Sequence, residues 1–354
     1  MGFYYEKVLR PLLFRQDAEK AHDLGITALD YLGHLGPLCR LMERYNGVRR
    51  ADPIELFGVR FPNTVGMAAG MDKQGRVWRA AGALGFGFAE IGTITLHKQP
   101  GNDKPRVFRY PELGAVINRM GFNNDGAEAV AERLKKSGAH LQRRIPLGLN
   151  LGKSRVTPLS EAVADYVGSF QILADFADYF AINVSSPNTP ELRRLQGHDF
   201  LPNLLEELVK ANRSRARKLG TKPKPMLLKI APDLSYREID QILETLFAHG
   251  LDGIIATNTT IARTGAASRL RETGGLSGPP LHRRSCEVVN YISRSTGGRL
   301  PIIGVGGIDT AAAAGRMVDA GAALVQIYTG MIYRGPFLPK ELARGLVHHQ
   351  RKWA

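Results

Sequence analysis

Cysteine is almost missing from this chain of 354 residues: Cys39 and Cys286 are the only two, and neither sits in a CxxC pair. Two isolated thiols cannot build a disulfide framework, and they read as reduced residues of a cytosolic protein. No run approaches the ~18 apolar residues of a membrane span. The start, MGFYYEKVLRPLLF, lacks the long apolar core of a secretory signal. The triplets at 183–185, 212–214 and 258–260 that match the glycosylation sequon are therefore chance. There is no HExxH and no His/Asp/Glu cluster at ligand spacing, so no metal is expected. Low-complexity tracts are absent as well.

Acid is the scarcer charge, with 33 Asp and Glu against 48 Lys and Arg, a net +15. Such a surface suits nucleic acid, an anionic membrane, or an anionic substrate or cofactor. The arginine doublets Arg49–Arg50, Arg143–Arg144, Arg193–Arg194 and Arg283–Arg284 are scattered. No RNP motif, zinc-finger spacing or basic–aromatic run accompanies them, which argues against nucleic acid.

What the chain does have is regular punctuation. Eight short apolar runs, each closed by glycine or polar residues, alternate with helical stretches. They are TVGMAAG (64–70), FAEIGTIT (88–95), PLGLNLG (146–152), YFAINVS (179–185), PMLLKIAP (225–232), GIIATNT (253–259), PIIGVGG (301–307) and LVQIYTG (324–330). Continuous apolar strands separated by helices imply parallel strands buried on both faces, and eight units suggest a closed α/β barrel of the TIM, or (β/α)8, kind. Hairpin-like insertions are expected near 54–62 and 107–117. Residues 1–45 differ: two amphipathic helical segments, 3–14 and one from Asp17 to about Leu35, stopped at Gly36-Pro37. Their apolar faces suit a cap packed on the barrel, a membrane-surface contact, or the lining of an opening for a lipophilic molecule. The expected division is a helical extension, 1–45, and a catalytic barrel, 46–354.

Barrel enzymes place their chemistry at the C-terminal ends of the strands. Here those ends carry Ala69, Gly70 and Lys73; Thr93; Asn150; Asn183 and Ser186; Lys229; Thr257, Asn258 and Thr259; Gly306 and Gly307; Tyr328 and Thr329. The ring is rich in amides and lysines and poor in carboxylates. GVGGID and YTG, on the last two strands, suit a phosphate held by backbone N–H groups, with GGLSG (274–278) as a further contact. GLNLGKS (148–154) is one residue short of a P-loop and reads as a strand end that presents Asn150. Lys229 has two readings. It forms a Schiff base, which makes the protein a lyase or aldolase, or it stays cationic beside a bound ring. AINVSSPNTP (181–190) ends a strand in amides and hydroxyls, with no histidine to activate its serines.

Taken together, AAGMDK, EIGTIT, QPGNDKPR, NRMGFNN, INVSSPNTP, KIAPDLS, ATNTT, GGLSG, IIGVGGI and LVQIYTG resemble the dihydroorotate dehydrogenases of the second, quinone-linked class, in order from about 50 to 335. The resemblance implies an FMN-containing barrel that oxidises dihydroorotate to orotate in pyrimidine biosynthesis. It implies that Ala69, Gly70, Thr93, Asn150, Asn183, Lys229, Thr257, Gly278, Gly307, Tyr328 and Thr329 hold FMN. Lys73, Asn118, Arg119, Met120, Gly121, Phe122, Asn183, Asn188, Asn258 and Thr259 are implied to surround the substrate. Ser186 matches the catalytic base, where the quinone-independent class has cysteine; Ser185 is read as satisfying backbone only. The resemblance also makes the N-terminal helices a quinone tunnel and membrane contact. A monomer bound peripherally to the cytoplasmic face of a bacterial inner membrane, with no nucleic-acid partner, is the expected setting.

Overall fold

The computed structural model describes residues 2–47, 53–141, 143–189, 191–197 and 199–347; the Arg49–Arg50 doublet and Pro190 lie outside them. Eight parallel strands close into a barrel: β1 Val65–Met67, β2 Phe88–Ile94, β3 Leu147–Leu151, β4 Tyr179–Asn183, β5 Met226–Ile230, β6 Gly253–Ala256, β7 Ile302–Val305 and β8 Leu324–Ile327. Each of the eight apolar runs contains one strand, and β8 closes on β1 through Val325 opposite Val65. The (β/α)8 expectation is met.

Along each strand, side chains alternate between the barrel lumen and the surrounding helices. The outward set, including Ile91, Phe180, Ile182, Leu228, Ile254 and Val325, packs in the main core with the helices. The inward set divides by height. Low in the barrel, Phe88, Tyr179, Leu227, Ile255, Ile303 and Leu324 form an apolar plug. The hairpin Ile54–Leu56/Val59–Phe61 seals it from below, with Phe61 edge-on to Phe88 at 5.2 Å. Two glycines make this layer possible. A Cβ on Gly66 would lie 2.2 Å from the Phe88 ring, and one on Gly148 would lie 2.1 Å from the Tyr179 ring. Higher up, the inward positions turn polar: Glu90, Asn150, Asn183, Lys229 and Gln326 are all buried. The apolar plug thus supports a polar floor.

The second insertion pairs Val107–Tyr110 with Ala115–Asn118, and a third strand, Gly275–Ser277, joins it through Gly275 opposite Asn118. That third strand was not foreseen, because the GGLSG segment reads as a phosphate loop. The N-terminal region also holds one helix more than expected. After a continuous helical segment over residues 2–14, with a π turn at Tyr5–Leu9, α1 spans Ala18–His34, and Asp17 caps it by accepting from the N–H groups of Glu19 and Lys20, both at 3.0 Å. Gly36-Pro37 ends that segment and also opens α2, Gly36–Asn46, since proline fits the first turn of a helix. No helix among the described residues is long and apolar enough to cross a membrane.

Ion pairs tie α1 to the barrel, among them Asp30 with Arg76 at 2.9 Å and, more deeply buried, Glu19 with Arg106. Arg106, 6% exposed, donates to both oxygens of Glu19 (Nε–Oε2 3.1 Å, Nη2–Oε1 2.6 Å) and to the carbonyls of Pro100 and Asn102. Removing one partner of such a pair strands the other charge. Arg106→Met is therefore expected to lower stability by about 3–5 kcal/mol and to open residues 2–47 to protease. Thermal unfolding and limited proteolysis read both effects. Unchanged melting with an unchanged digestion pattern would contradict the anchoring role.

Candidate active site

A cavity of about 760 Å³ lies between the C-terminal ends of the strands and the N-terminal helices. Its lower wall carries Ala69, Gly70, Lys73, Thr93, Asn183, Ser186, Asn188, Lys229, Thr257, Asn258, Thr259, Gly278, Gly307, Tyr328 and Thr329. Asn118, Met120, Gly121 and Phe122 reach it from the inserted sheet. The outer wall is Tyr5, Leu9, Leu12, Leu13 and Phe14 with Ile26 and Leu29 of α1, so the tunnel is apolar and the floor polar.

Two expected residues do not line this cavity. The Arg119 side chain turns away, pairing with Glu272 at 2.6 Å and stacking over Phe108. The inserted strand ends at Asn118, and the residue after it turns to the face opposite Asn118. Asn150 lies one layer below, fully buried. It touches the site through others: Thr93 Oγ1 donates to Asn150 Oδ1 at 2.6 Å and Asn183 Nδ2 does so at 3.1 Å.

The amides form a connected network. Asn183 Nδ2 also donates to Thr93 Oγ1 at 2.9 Å. Asn183 Oδ1 accepts from Ser185 Oγ at 2.9 Å, and Asn258 Nδ2 donates to Ser185 Oγ at 3.0 Å. Ser185 therefore ties two cavity amides together by its hydroxyl, more than the backbone role expected of it. Asn188 Nδ2 donates to the Asn118 carbonyl at 3.0 Å, and Asn102 Nδ2 to the Asn188 carbonyl at 3.1 Å. These bonds hold the loop that carries Ser186. Ser186 itself is 6% exposed, and its Oγ accepts from the Asn188 N–H at 3.3 Å. Thr189 Oγ1, three residues on, is buried with no hydrogen-bond partner.

At the other end of the cavity the backbone is bare. Gly278 and Gly307 have φ of +94° and +64°. A Cβ on Gly307 would sit 2.7 Å from the Gly278 carbonyl and from His282. Only glycine fits there, so amide N–H groups line the wall without side chains in front of them.

Electrostatics divide along the same line. Burial pushes the Lys73 ammonium down to about 8, with Glu19 acting against it. Burial, reinforced by Lys73, holds His22 down to about 3, so this tunnel-wall imidazole is neutral at pH 7. Burial raises the Tyr328 phenol to about 12. Among the described residues no group of three or more His, Cys, Asp or Glu is disposed to hold a metal ion.

Sequence reasoning missed Glu90, Gln326, His22 and Arg109. Glu90 is a single acid inside an apolar run, and its burial at 0% exposure beside Lys229 (Oε1–Nζ 3.7 Å) became visible only in three dimensions. The strand alternation that sets Phe88 inward also sets Glu90 inward, so that signal was available. His22 and Gln326 line the cavity, as does Arg109, which donates to the Leu13 and Phe14 carbonyls.

Comparison with known proteins agrees with this geometry. The model of the family "Dihydroorotate dehydrogenase" matches residues 53–349. The dihydroorotate dehydrogenase (quinone) of Chloroflexus aurantiacus is 50% identical over 359 residues, covering 99% of this chain and 98% of its own. That of Salinispora arenicola is 52% identical over 348 residues, covering 96% and 98%. Among solved structures, DHODH from Eimeria tenella in complex with ferulenol superposes with a TM-score of 0.82 at 36% identity, covering 93% of this chain and 90% of that one. With half its residues shared over nearly its whole length, and with the barrel to match, this chain belongs to the dihydroorotate dehydrogenase family, in its quinone-linked class.

Proposed function

We propose that the cavity holds FMN over its floor, with dihydroorotate beside Ser186 and a quinone arriving between the N-terminal helices. The activity is that of the family: oxidation of dihydroorotate to orotate in pyrimidine biosynthesis, with quinone as final acceptor. Family membership implies a flavin. The fit to FMN rests on the glycine wall at Gly278 and Gly307, shaped for a phosphate, and on the Lys229 ammonium at the floor. A Schiff-base lyase built on Lys229 is not favoured, since a buried carboxylate already faces that lysine.

A bound flavin supplies the hydride acceptor for C6 of the substrate. The remaining chemistry belongs to side chains. Asn183, Asn188 and Asn258 fix the ring by hydrogen bonds, and Lys73 meets its carboxylate. Ser186 takes the proton from C5. The proton passes onward from Ser186 through water, either beside Phe122 or bridging to the buried, unpartnered Thr189 hydroxyl, which relays it. Arg119, turned outward, has no part in this reading.

Residues 1–45 form the quinone tunnel and a peripheral membrane contact, and residues 46–354 the catalytic domain. The exposed side chains of Phe3, Tyr31, Leu41 and Tyr45, on a chain of net +15, suit an anionic lipid surface. We place it on the cytoplasmic face of a bacterial inner membrane. One chain supplies every wall of the cavity, which supports a monomer, and nothing in the site calls for nucleic acid.

The single observation that carries the reading is Ser186, buried on the cavity wall among three asparagine amides. Anaerobic mixing with dihydroorotate should bleach flavin absorbance near ~450 nm, and a quinone, not fumarate, should restore it. Recovery with fumarate would move the protein out of the quinone-linked class. Absence of bleaching would remove the substrate assignment.

Lys73 gives a pH signature. Its depressed value means that the ammonium is present below about pH 8 and lost above it. Dihydroorotate affinity is therefore expected to fall as pH rises through about 8. Lys73→Met should bind weakly at every pH, without that break. A flat affinity profile in the wild type would disconnect Lys73 from the substrate carboxylate.

A further inference from the structure

Glu90 is fully buried on β2, and its two oxygens gather groups from four other strands. Oε1 accepts from Asn150 Nδ2 at 2.8 Å and lies 3.7 Å from Lys229 Nζ. Oε2 accepts from Gln326 Nε2 at 2.8 Å and from the Tyr179 hydroxyl at 3.2 Å. A carboxylate accepts and never donates, so each neighbour must turn its donor downward. The consequence spreads upward. With Nδ2 committed to Glu90, Asn150 presents Oδ1 to Thr93 and Asn183. Asn183 then turns Nδ2 toward that oxygen and Oδ1 toward Ser185. Gln326, committed the same way, keeps an Oε1 that is buried without a hydrogen-bond partner, on a residue that lines the cavity.

We propose that Glu90 is a positioning residue for the flavin site, acting through Lys229 and Gln326. It holds the ammonium as a donor and the amide oxygen as an acceptor at the cavity floor, and it fixes the orientation of the asparagine network above. The inference rests on the FMN reading of the cavity. A carboxylate is needed because an amide in its place offers donor and acceptor alike, and the polarity of the chain is no longer set. It also provides the counter-charge for a buried lysine. A flavin ring presents alternating N–H and C=O groups along its pyrimidine edge, so a floor of fixed polarity reads that edge where a floor of free amides does not.

The test is a cycle of Glu90→Gln, Lys229→Met and the double variant. Each is reconstituted with FMN, and the flavin midpoint potential is read by spectroelectrochemistry. Glu90→Gln keeps the shape and removes one negative charge, leaving the ammonium uncompensated beside the ring. The reduced flavin should gain about tenfold over the oxidised form, an upward shift of about 30 mV for a two-electron couple. In the Lys229→Met background the same replacement should move the potential by less than a third of that. An unchanged or lowered potential in Glu90→Gln, or a shift of equal size in both backgrounds, overturns the proposal. If Glu90→Gln does not fold, Gln326→Leu carries the test, since it leaves the carboxylate in place. It should weaken FMN binding about tenfold with the melting temperature retained, and unchanged FMN affinity overturns the proposal there. Wild-type apoprotein that fails to take up FMN would sink the cofactor reading instead, and is checked first.

Discussion

Ser186→Ala is expected to slow the reduction of bound flavin by dihydroorotate about 10²–10⁴-fold, the value of general-base assistance, while leaving flavin content and orotate affinity within a few-fold of wild type. The reasons are geometric. Ser186 is buried on the cavity wall, and its Oγ takes one weak backbone hydrogen bond, from Asn188 at 3.3 Å. That leaves the hydroxyl free to face a substrate proton. Binding is borne by other groups, namely the side-chain amides of Asn183, Asn188 and Asn258 and the Lys73 ammonium; the substitution removes only the weak backbone bond at Asn188, whose side chain stays held by the Asn118 carbonyl. Stopped-flow absorbance under anaerobic conditions separates the two quantities. Reduction at the wild-type rate would show that the proton leaves by another group. A loss of orotate affinity as large as the loss of rate would make Ser186 a binding residue.

Much of this site could be read from the chain because the barrel couples sequence to position. A strand buried on both faces is a continuous apolar run, and its C-terminal end is where polar residues first appear. Asn183, Lys229, Thr257 and Gly307 were found that way, and the GGLSG segment that ends at Gly278 was read as a phosphate contact. The substrate residues from Asn118 to Phe122 came from the family resemblance. What stayed hidden depends on direction or on distant partners. Arg119 lies between Asn118 and Met120 in sequence, and only its side chain's turn toward Glu272 and Phe108, just past the end of the strand, separates it from them. Glu90 sits mid-strand, where an acid looks like an interruption. Its four partners come from β3, β4, β5 and β8, and no local pattern announces such a convergence. Strand Gly275–Ser277 escaped because its glycines read equally as a loop. Gly36-Pro37 was seen as a stop and proved also a start, the two roles that glycine and proline take at adjoining helix ends.

The second large effect concerns the tunnel. Gly25 lies on α1 and lines the cavity, and a Cβ built on it meets nothing within 4 Å. Gly25→Trp should therefore seat its Cβ without a clash, with the indole projecting at the cavity wall. Helix propensity should improve, since glycine is about 0.8–1 kcal/mol worse than alanine in a helix interior. The melting temperature is expected to hold or rise. The floor of the cavity, with Ser186, the asparagines and Lys73, remains untouched, so bleaching by dihydroorotate should proceed at the wild-type rate. Passage of a quinone past Ile26 and Leu29 toward the floor should be obstructed, and quinone-dependent turnover should fall about a hundredfold, a loss of about 2.7 kcal/mol in kcat/KM. The contrast between the two half-reactions makes the experiment decisive. Equal losses in both would mean that the substitution disturbs the floor. Full quinone turnover, with the indole shown to be in place, would mean that the acceptor reaches the flavin by a route that does not pass α1.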